Sequence, residues 1–222
     1  MENKFKRIVS FARKRVRNKE KENKIIEDQF PKFKVNLNED GIKAINEIFP
    51  QKFDSYILEI GFGSGENIIA QALDNPNKAF IGCEVYTSGV TSLLEGIEEN
   101  KLENIRIWHD DAMDLVDMLP DNSLDLVYIL HPDPWPKKRH NKRRLINEDS
   151  LRDISKKMKP GSKLLIITDH DDYASHITKA VDEVKDIFLR EFDNYPAIVK
   201  TKYRLKADAI GVESEYFCLK QL

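Results

Sequence analysis

The sequence has very little cysteine, and its cysteine and histidine residues show no metal-binding pattern. Only two cysteines occur among the 222 residues, Cys83 and Cys218, and they do not form a C-x-x-C pair. The five histidines are scattered without the spacing of metal ligands. We therefore expect no disulfide framework and no metal site, which is typical of a protein of the reducing cytoplasm.

Long apolar runs are also missing. No stretch approaches the ~18 apolar residues that a membrane-spanning helix needs, and the charged N-terminus lacks the apolar core and cleavage site of a secretory signal. These absences predict a cytoplasmic protein with no membrane partner. The length and the 33% of charged residues suit one α/β domain with short appendages.

Positive charge is concentrated at the N-terminus. The net charge is −2, but residues 1–24 contain ten Lys/Arg against three Glu. This segment therefore carries about +7 and the rest of the chain about −9. A basic segment on an acidic body favours a polyanionic partner, although a solvated tail that only aids solubility is the alternative. We predict a mobile basic arm over residues 1–35 and one domain over residues 36–222.

A glycine-rich turn follows the first strongly apolar segment. The sequence SYILEIGFGSGE, residues 55–66, indicates a buried strand and a tight turn before a helix. Its glycines, Gly61, Gly63 and Gly65, are spaced G-x-G-x-G, unlike the G-x-G-x-x-G of dinucleotide enzymes. Glu59 precedes the turn, and a carboxylate there favours the cationic S-adenosylmethionine over the pyrophosphate of NAD. A structural turn without a ligand is the alternative.

The rest of the chain alternates between predicted strands and helices. Further strands are predicted at residues 79–85, 105–108, 124–130, 163–168 and 214–219, and helices at residues 37–49, 88–100, 147–158 and 171–190. Alternation of this kind is typical of an α/β fold with a doubly wound, mostly parallel sheet. No internal repeat or low-complexity linker interrupts the pattern.

Acidic residues follow each of the first five predicted strands. They are Glu59, Glu84, the pair Asp110–Asp111, Asp133 and Asp169. In doubly wound sheets ligands bind outside the carboxyl ends of the strands, so these groups are expected around one site. Glu84 lies nineteen residues after Gly65, which suits an acceptor for ribose hydroxyls. Asp111 could accept from an adenine amino group, and Ala112 would leave room for the ring.

The loop after the fourth strand is the most specific feature. In HPDPWPKKRHNKRR, Asp133 stands between two prolines that restrict its backbone, and Trp135 offers an aromatic surface. Six cations follow within eight residues, from Lys137 to Arg144. A carboxylate, an indole and a cationic cluster together favour a nucleobase held beside its phosphates. A rigid turn before a solvated helix is the alternative.

Together these segments resemble the bacterial tRNA (guanine-N7-)-methyltransferase family. The resemblance rests on LEIGFGSGEN, GCEVYTSGV, HDDAMD, HPDPWPKKRHNKRR, ITDHDDYA and TKYR, and SFARKRVR is similar to the family's basic N-terminal segment. It implies a Rossmann-like class I S-adenosylmethionine-dependent methyltransferase fold. It also implies methyl transfer from S-adenosylmethionine to N7 of a guanosine in the tRNA variable loop, by a monomer or homodimer.

The resemblance also implies roles for individual residues. It gives cofactor contacts to Glu59, Glu84, Asp111 and Asp133, a catalytic role to Asp133, and tRNA contacts to Lys137, Asp169, Thr201, Lys202, Tyr203 and Arg204. The glycine turn, with Gly61, Gly63 and Gly65, and Ala112 complete the predicted cofactor site on the residue arguments above. Arg204 departs from the family, whose last motif usually reads T-x-[FY]-E. An arginine cannot accept from a guanine N1–H as a glutamate can. Three alternatives stay open: the contact is lost, Arg204 binds a phosphate, or Glu213 or Glu215 substitutes.

The substrate atom limits the chemistry that the protein must supply. Guanine N7 is a lone-pair acceptor without a proton, so attack on the methyl group needs no general base, and alignment is the main task. We expect Asp133 to orient the base or the cofactor amine and to stabilise the charge that develops. Two other functions fit the same fold: an amino-methyltransferase with a D-P-P-W-like motif, and a non-catalytic tRNA-binding protein.

Overall fold

The strands of the chain form one twisted sheet. The computed structural model describes residues 19–36, 42–199 and 213–222. In these residues the strands are β1 (Ser55–Ile60), β2 (Lys78–Cys83), β3 (Ile105–Trp108), β4 (Leu124–Leu130), β5 (Met158–Thr168), β6 (Phe188–Glu191) and β7 (Glu215–Gln221). They make a seven-stranded sheet in the order β3-β2-β1-β4-β5-β7-β6.

The helices lie between the strands in the chain. They are α1 (Lys19–Phe33), α2 (Glu66–Asp74), α3 (Thr87–Asn100), α4 (Ala112–Met118), α5 (Glu148–Lys157) and α6 (Asp171–Asp182), with short 3-10 helices at Ile45–Ile48 and Lys138–Arg143. Strands β1 to β5 pair in parallel, whereas β7 runs antiparallel between β5 and β6. The predicted α/β fold with a doubly wound, mostly parallel sheet is therefore confirmed.

Both faces of the sheet are buried, which explains the continuous apolar character of β1. Leu58 and Ile60 belong to one hydrophobic cluster, while Ile57 belongs to a second cluster on the other side. Alternate side chains of a strand point to opposite faces. Helices must therefore cover both faces, and the order of the strands reverses between β1 and β4, where ligands bind in folds of this kind.

Two sequence-based helix predictions differ from the structure. Of the helix expected over residues 37–49, a 3-10 turn is present at Ile45–Ile48, with its apolar residues buried, and residues 37–41 lie outside the described part. The helix expected over residues 171–190 ends at Asp182, and β6 begins at Phe188. Pairing with β7 explains the strand, because an antiparallel neighbour satisfies its backbone groups.

Part of the expected N-terminal arm is helical. Helix α1 packs on α3, where Lys21 forms an ion pair of 2.7 Å with Glu95, and Phe30 meets the His109 ring edge-on. After the helix, the Val35 N–H donates to the Ile107 carbonyl at 2.9 Å and continues the sheet beyond β3. Residues 1–18 lie outside the described part, so the division into arm and domain stays a prediction.

Candidate active site

A large cavity opens at the carboxyl ends of the strands. Its volume is about 1240 Å³, and it lies where the strand order reverses between β1 and β4. Most of the predicted cofactor residues line it: Glu59, Gly61, Gly63, Glu84, Asp111, Ala112 and Asp133. The topology of a parallel sheet brings them together, because all carboxyl ends meet at one edge.

The glycine turn forms one wall of the cavity. Gly61 and Gly63 have φ values of 74° and 58°, and a Cβ atom at either position would point into open space. The start of the turn is held against β2 by the Gly61 N–H, which donates to the Cys83 carbonyl at 2.8 Å. Gly65 does not line the cavity; a Cβ atom there would come within 2.8 Å of the Leu93 side chain. Backbone at Gly61 and Gly63 is therefore accessible to a ligand, whereas Gly65 serves packing.

Glu59 is a buried carboxyl group at the floor of the site. Its exposed fraction is 3%, and its Oε2 accepts a hydrogen bond from Asn67 Nδ2 at 2.9 Å. Burial raises the pKa of Glu59 to about 7, against the smaller opposing effect of the Asn67 hydrogen bond. A buried carboxylate is stabilised by a cation, so this position suits a positively charged group of a ligand.

Glu84 holds the glycine turn and the start of α3. Its carboxylate accepts from the N–H groups of Gly63, Val85 and Tyr86 at 3.0, 2.8 and 3.0 Å. Burial raises the pKa of Glu84, the three backbone donors oppose that change, and the negative charge of Asp133 adds to it. Glu84 and Asp133 therefore face the same cavity from two different strand ends.

Asp111 has the structural role that strand-end aspartates often have. It is the N-cap of α4, where Oδ1 accepts from the Met113 N–H at 2.9 Å, and its carbonyl accepts from Trp108 Nε1 at 2.8 Å. Asp111 and Ala112 nevertheless line the cavity. The cap fixes the carboxylate at the cavity wall, which is compatible with the predicted contact to an adenine.

The proline loop carries Asp133 on an unusual backbone. His131 and Trp135 have φ values of 53° and 45°, a region that side chains rarely adopt. Partial burial raises the pKa of Asp133. Conformations of this kind persist only when the surrounding structure holds them, and they cluster at functional sites. The surrounding structure thus fixes the conformation of this loop, which presents the carboxyl group of Asp133 to the cavity.

Arg144 is the part of this structure that sequence reasoning missed. The sequence groups Arg144 with the cations that follow Trp135, but its exposed fraction is 4%. Arg144 Nε donates to the Pro134 carbonyl at 2.9 Å, and the guanidinium pairs with Asp172 and lies 4.9 Å from the centre of the Tyr173 ring. No local sequence signal separates this buried arginine from its exposed neighbours.

The other loop residues divide into two groups. The Trp135 indole contacts Arg143, whose guanidinium lies 4.9 Å from the ring centre, and meets His140 edge-on. These contacts occupy part of the aromatic surface that we expected to face a base. Four cations remain exposed: Lys137, Lys138, Arg139 and Lys142. Of these four, Lys142 lines the cavity.

The predicted tRNA-contacting residues are only partly described. Lys137 is exposed before the 3-10 helix, and Asp169 is exposed after β5, with Oδ1 3.9 Å from His131 Nδ1. Neither lines the cavity. Thr201, Lys202, Tyr203 and Arg204 lie outside the described residues. Glu213 and Glu215 are the two residues that could replace the glutamate missing at position 204. Of these, Glu215 accepts a hydrogen bond of 3.3 Å from Arg190.

Within the described residues, no helix is both long and apolar enough to span a membrane. No group of three His, Cys, Asp or Glu side chains in the same residues is placed to hold a metal ion.

Solved structures with the same fold are methyltransferases. The 16S rRNA methyltransferase KamB superposes with a TM-score of 0.57 at 12% identity, covering 85% of this chain and 97% of that one. TrmN from Thermus thermophilus gives a TM-score of 0.56 at 16% identity, covering 80% and 47% of the two chains. The sheet order and the glycine turn beside an acidic cavity thus define a Rossmann-like fold of the class I methyltransferase type.

Sequence comparison identifies the family. The profile of a family described as "Putative methyltransferase" matches residues 54–213. A tRNA (guanine-N(7)-)-methyltransferase of Wolbachia pipientis is 45% identical over 150 residues, 68% of this chain and 67% of that protein. Relatives of the same name from Agrobacterium fabrum and Hyphomonas neptunium are 38% and 47% identical, over 86% and 61% of this chain and 85% and 61% of theirs. The chain belongs to the tRNA (guanine-N(7)-)-methyltransferase family.

Proposed function

We propose that this protein transfers the methyl group of S-adenosylmethionine to N7 of a guanosine in the variable loop of tRNA. The observation that carries the proposal is the cavity at the switch point, where a glycine turn and the carboxyl groups of four strand ends meet. Membership of the family supports the tRNA substrate and the position of methylation.

The residues of the cavity fit S-adenosylmethionine. Glu59 is buried with one amide partner, and a cationic amine beside it would offset the cost of burying its charge. Gly61 and Gly63 leave open space where side chains would otherwise stand. Glu84 is suitably placed for ribose hydroxyls, and Asp111 and Ala112 for an adenine edge. When bound, the cofactor would supply an electrophilic methyl group.

The protein's own contribution is orientation. Guanine N7 has no proton to lose, so no side chain of the cavity has to act as a general base. Asp133 projects from a loop whose backbone is fixed on both sides by prolines. A carboxylate held there orients the base or the cofactor amine. Its negative charge also stabilises the positive charge that N7 methylation creates on the purine.

Exposed cations beside the cavity suit the phosphates of an RNA substrate. Lys137, Lys138, Arg139 and Lys142 are exposed on one short stretch directly after the Asp133 loop. Cations of this kind give affinity that is independent of sequence and weakens with salt. We assign tRNA contacts also to Asp169 and to residues 201–204, as the family resemblance implies.

We extend the proposal to the setting in which the enzyme acts. We propose that it acts in the cytoplasm, as a monomer or homodimer, without a metal ion. Both cysteines, Cys83 and Cys218, are buried as free thiols, which fits a reducing compartment. Direct attack by N7 on the methyl group needs no Lewis acid.

The decisive experiment identifies the methylated nucleoside. Purified protein is incubated with labelled S-adenosylmethionine and unmodified tRNA, the RNA is digested, and the labelled nucleoside is identified. Labelled 7-methylguanosine is expected, and it should disappear when the target guanosine of the variable loop is replaced by adenosine. A methylated adenine or cytosine would make the protein an amino-methyltransferase, and tRNA binding without transfer would make it a non-catalytic binding protein.

A further inference from the structure

Asn67 connects the floor of the cofactor site with a distant part of the chain. It lies in the first turn of α2, with an exposed fraction of 1%. Its Nδ2 donates to Glu59 Oε2 at 2.9 Å, and its Oδ1 accepts from the Val199 N–H at 3.1 Å. A carboxylate oxygen can only accept and a backbone N–H can only donate, so the orientation of the amide is determined.

The segment that contains Val199 is docked by two further hydrogen bonds. The Ala197 carbonyl accepts from Gln71 Nε2 and from the Tyr128 hydroxyl, both at 2.8 Å. Between these anchors, Ile198 packs against the hydrophobic cluster on that face of the sheet. Residues 197–199 therefore lie across α2 and β4, and Asn67 joins them to the cofactor site.

We infer that Asn67 is a positioning residue that couples cofactor binding at Glu59 to the docking of residues 197–199. The inference rests on the proposed function, because it takes the cation that meets Glu59 from S-adenosylmethionine. A cation fixes the negative charge of Glu59, and the charged carboxylate is a stronger acceptor for Asn67 Nδ2. Polarisation of the amide then makes Asn67 Oδ1 a stronger acceptor for the Val199 N–H.

The coupling between cofactor binding and docking is reciprocal. If cofactor binding strengthens the docking of residues 197–199, then docking must strengthen cofactor binding by the same factor. Thr201, to which the family resemblance gives a tRNA contact, is two residues beyond Val199 in the sequence. The contact of Asn67 with Val199 thus connects the cofactor site with the residue that lies two positions before the predicted tRNA-binding segment in the sequence.

The test measures two binding properties and does not require turnover. Hydrogen exchange of the Val199 amide is followed by NMR or mass spectrometry with and without S-adenosylhomocysteine, and the affinity for this product is measured by calorimetry. Asn67→Ala and the nearly isosteric Asn67→Leu each remove both contacts. Gln71→Ala is the matched control, because Gln71 holds the same segment but does not touch Glu59.

In the unchanged protein, S-adenosylhomocysteine should slow exchange at Val199 by about fivefold or more. In Asn67→Ala and Asn67→Leu this slowing should be lost, and the affinity should fall about tenfold. Gln71→Ala should speed exchange in the free protein and keep the slowing by the ligand, and its affinity should fall less than that of the Asn67 variants, because the contact between Glu59 and Asn67 is intact. Thermal melts identify any variant that fails to fold, and the other Asn67 variant then decides.

Two results would overturn the inference. Slowing of Val199 exchange that persists in both Asn67 variants would show that another route connects the sites. Equal losses of affinity in Gln71→Ala and Asn67→Ala would show that docking acts without the Asn67 amide. A protein that binds S-adenosylhomocysteine but behaves in either way keeps its proposed function, whereas one that binds neither the cofactor nor its product loses both.

Discussion

Arg144 donates a hydrogen bond of 2.9 Å to the carbonyl oxygen of Pro134, the residue directly after Asp133. The same guanidinium is buried, pairs with Asp172 and lies over the Tyr173 ring. Helix α6, which carries Asp172 and Tyr173, is thereby tied to the loop that presents the proposed catalytic carboxyl group. A planar cation with several donors can make these contacts at once, which a lysine cannot.

Replacing Arg144 by Met should lower the turnover number by about tenfold to a hundredfold, because a small displacement of a positioning loop is costly. The free energy of unfolding should fall by about 2 kcal/mol, the value of a hydrogen bond to a charged group. Methyl transfer at saturating tRNA and urea unfolding measure the two effects. Lys142→Met is the control: it removes an exposed cation from the same loop, so it should weaken tRNA binding and leave the turnover number unchanged. If both variants show only weaker tRNA binding, Arg144 does not position the loop.

Asp133→Ala should reduce the turnover number by about a hundredfold, since a charge aimed at the reacting centre acts mainly in the transition state. The affinity for tRNA should stay within about threefold, because the phosphate contacts lie elsewhere. Single-turnover kinetics and filter binding separate the two quantities. Asp169→Asn is the matched comparison, and it should change tRNA affinity more than turnover. Loss of tRNA binding with full turnover in Asp133→Ala would contradict the role proposed for this residue.

Glu59 should make the protein less stable as the pH rises. Its folded-state pKa of about 7 lies above the ordinary value of 4.5. The folded protein therefore retains a proton that the unfolded chain releases, and the free energy of unfolding falls between these two pH values, by up to about 3 kcal/mol.

Glu59→Gln is uncharged at every pH, so this part of the decline should vanish in the variant. Urea unfolding of both proteins at pH 5 and pH 8 measures the difference, and contributions from other carboxyl groups cancel. If the stability of the two proteins depends on pH in the same way, the pKa of Glu59 in the folded protein is not raised. The variant should also bind S-adenosylhomocysteine more weakly, because the amine loses its ionic partner.

Gly89 allows the glycine turn to approach helix α3. A Cβ atom at Gly89 would lie 2.3 Å from the Gly63 carbonyl oxygen and 3.0 Å from Glu84 Cγ, so Gly89→Ala must displace the backbone of the proposed cofactor site. The affinity for S-adenosylhomocysteine should fall about tenfold, as expected when a preorganised site is disturbed. Calorimetry with the product measures it.

Gly96→Ala on the same helix is the matched control. Its Cβ atom would meet only the end of the Ile69 side chain, at 2.3 Å, and a flexible side chain can move. Alanine also favours a helix interior by about 1 kcal/mol relative to glycine. This variant should therefore keep its product affinity, and equal losses in the two variants would rule out a specific role for Gly89.

The sequence alone determined most of the sheet and the ring of candidate cofactor residues. The predicted bounds of β3 and β4 are those observed, and β1 lies within the segment predicted to hold a strand and a turn. The reason is local: a buried parallel strand needs a continuous apolar run, and the turn after β1 needs glycine. Once the strands are parallel, their carboxyl ends must meet at one edge, which brought Glu59, Glu84 and Asp133 to one cavity.

Tertiary structure decided what neighbouring residues of the same type do. Arg144 and Lys142 belong to one run of cations, yet the first is buried against Asp172, 28 residues away, and the second is exposed. Asn67 reads as an ordinary helix residue, but its amide accepts from Val199, 132 residues away. The strand β6 likewise required its antiparallel neighbour β7. Local sequence carries periodicity and turn chemistry, whereas the partner of a polar side chain depends on which distant segment packs beside it.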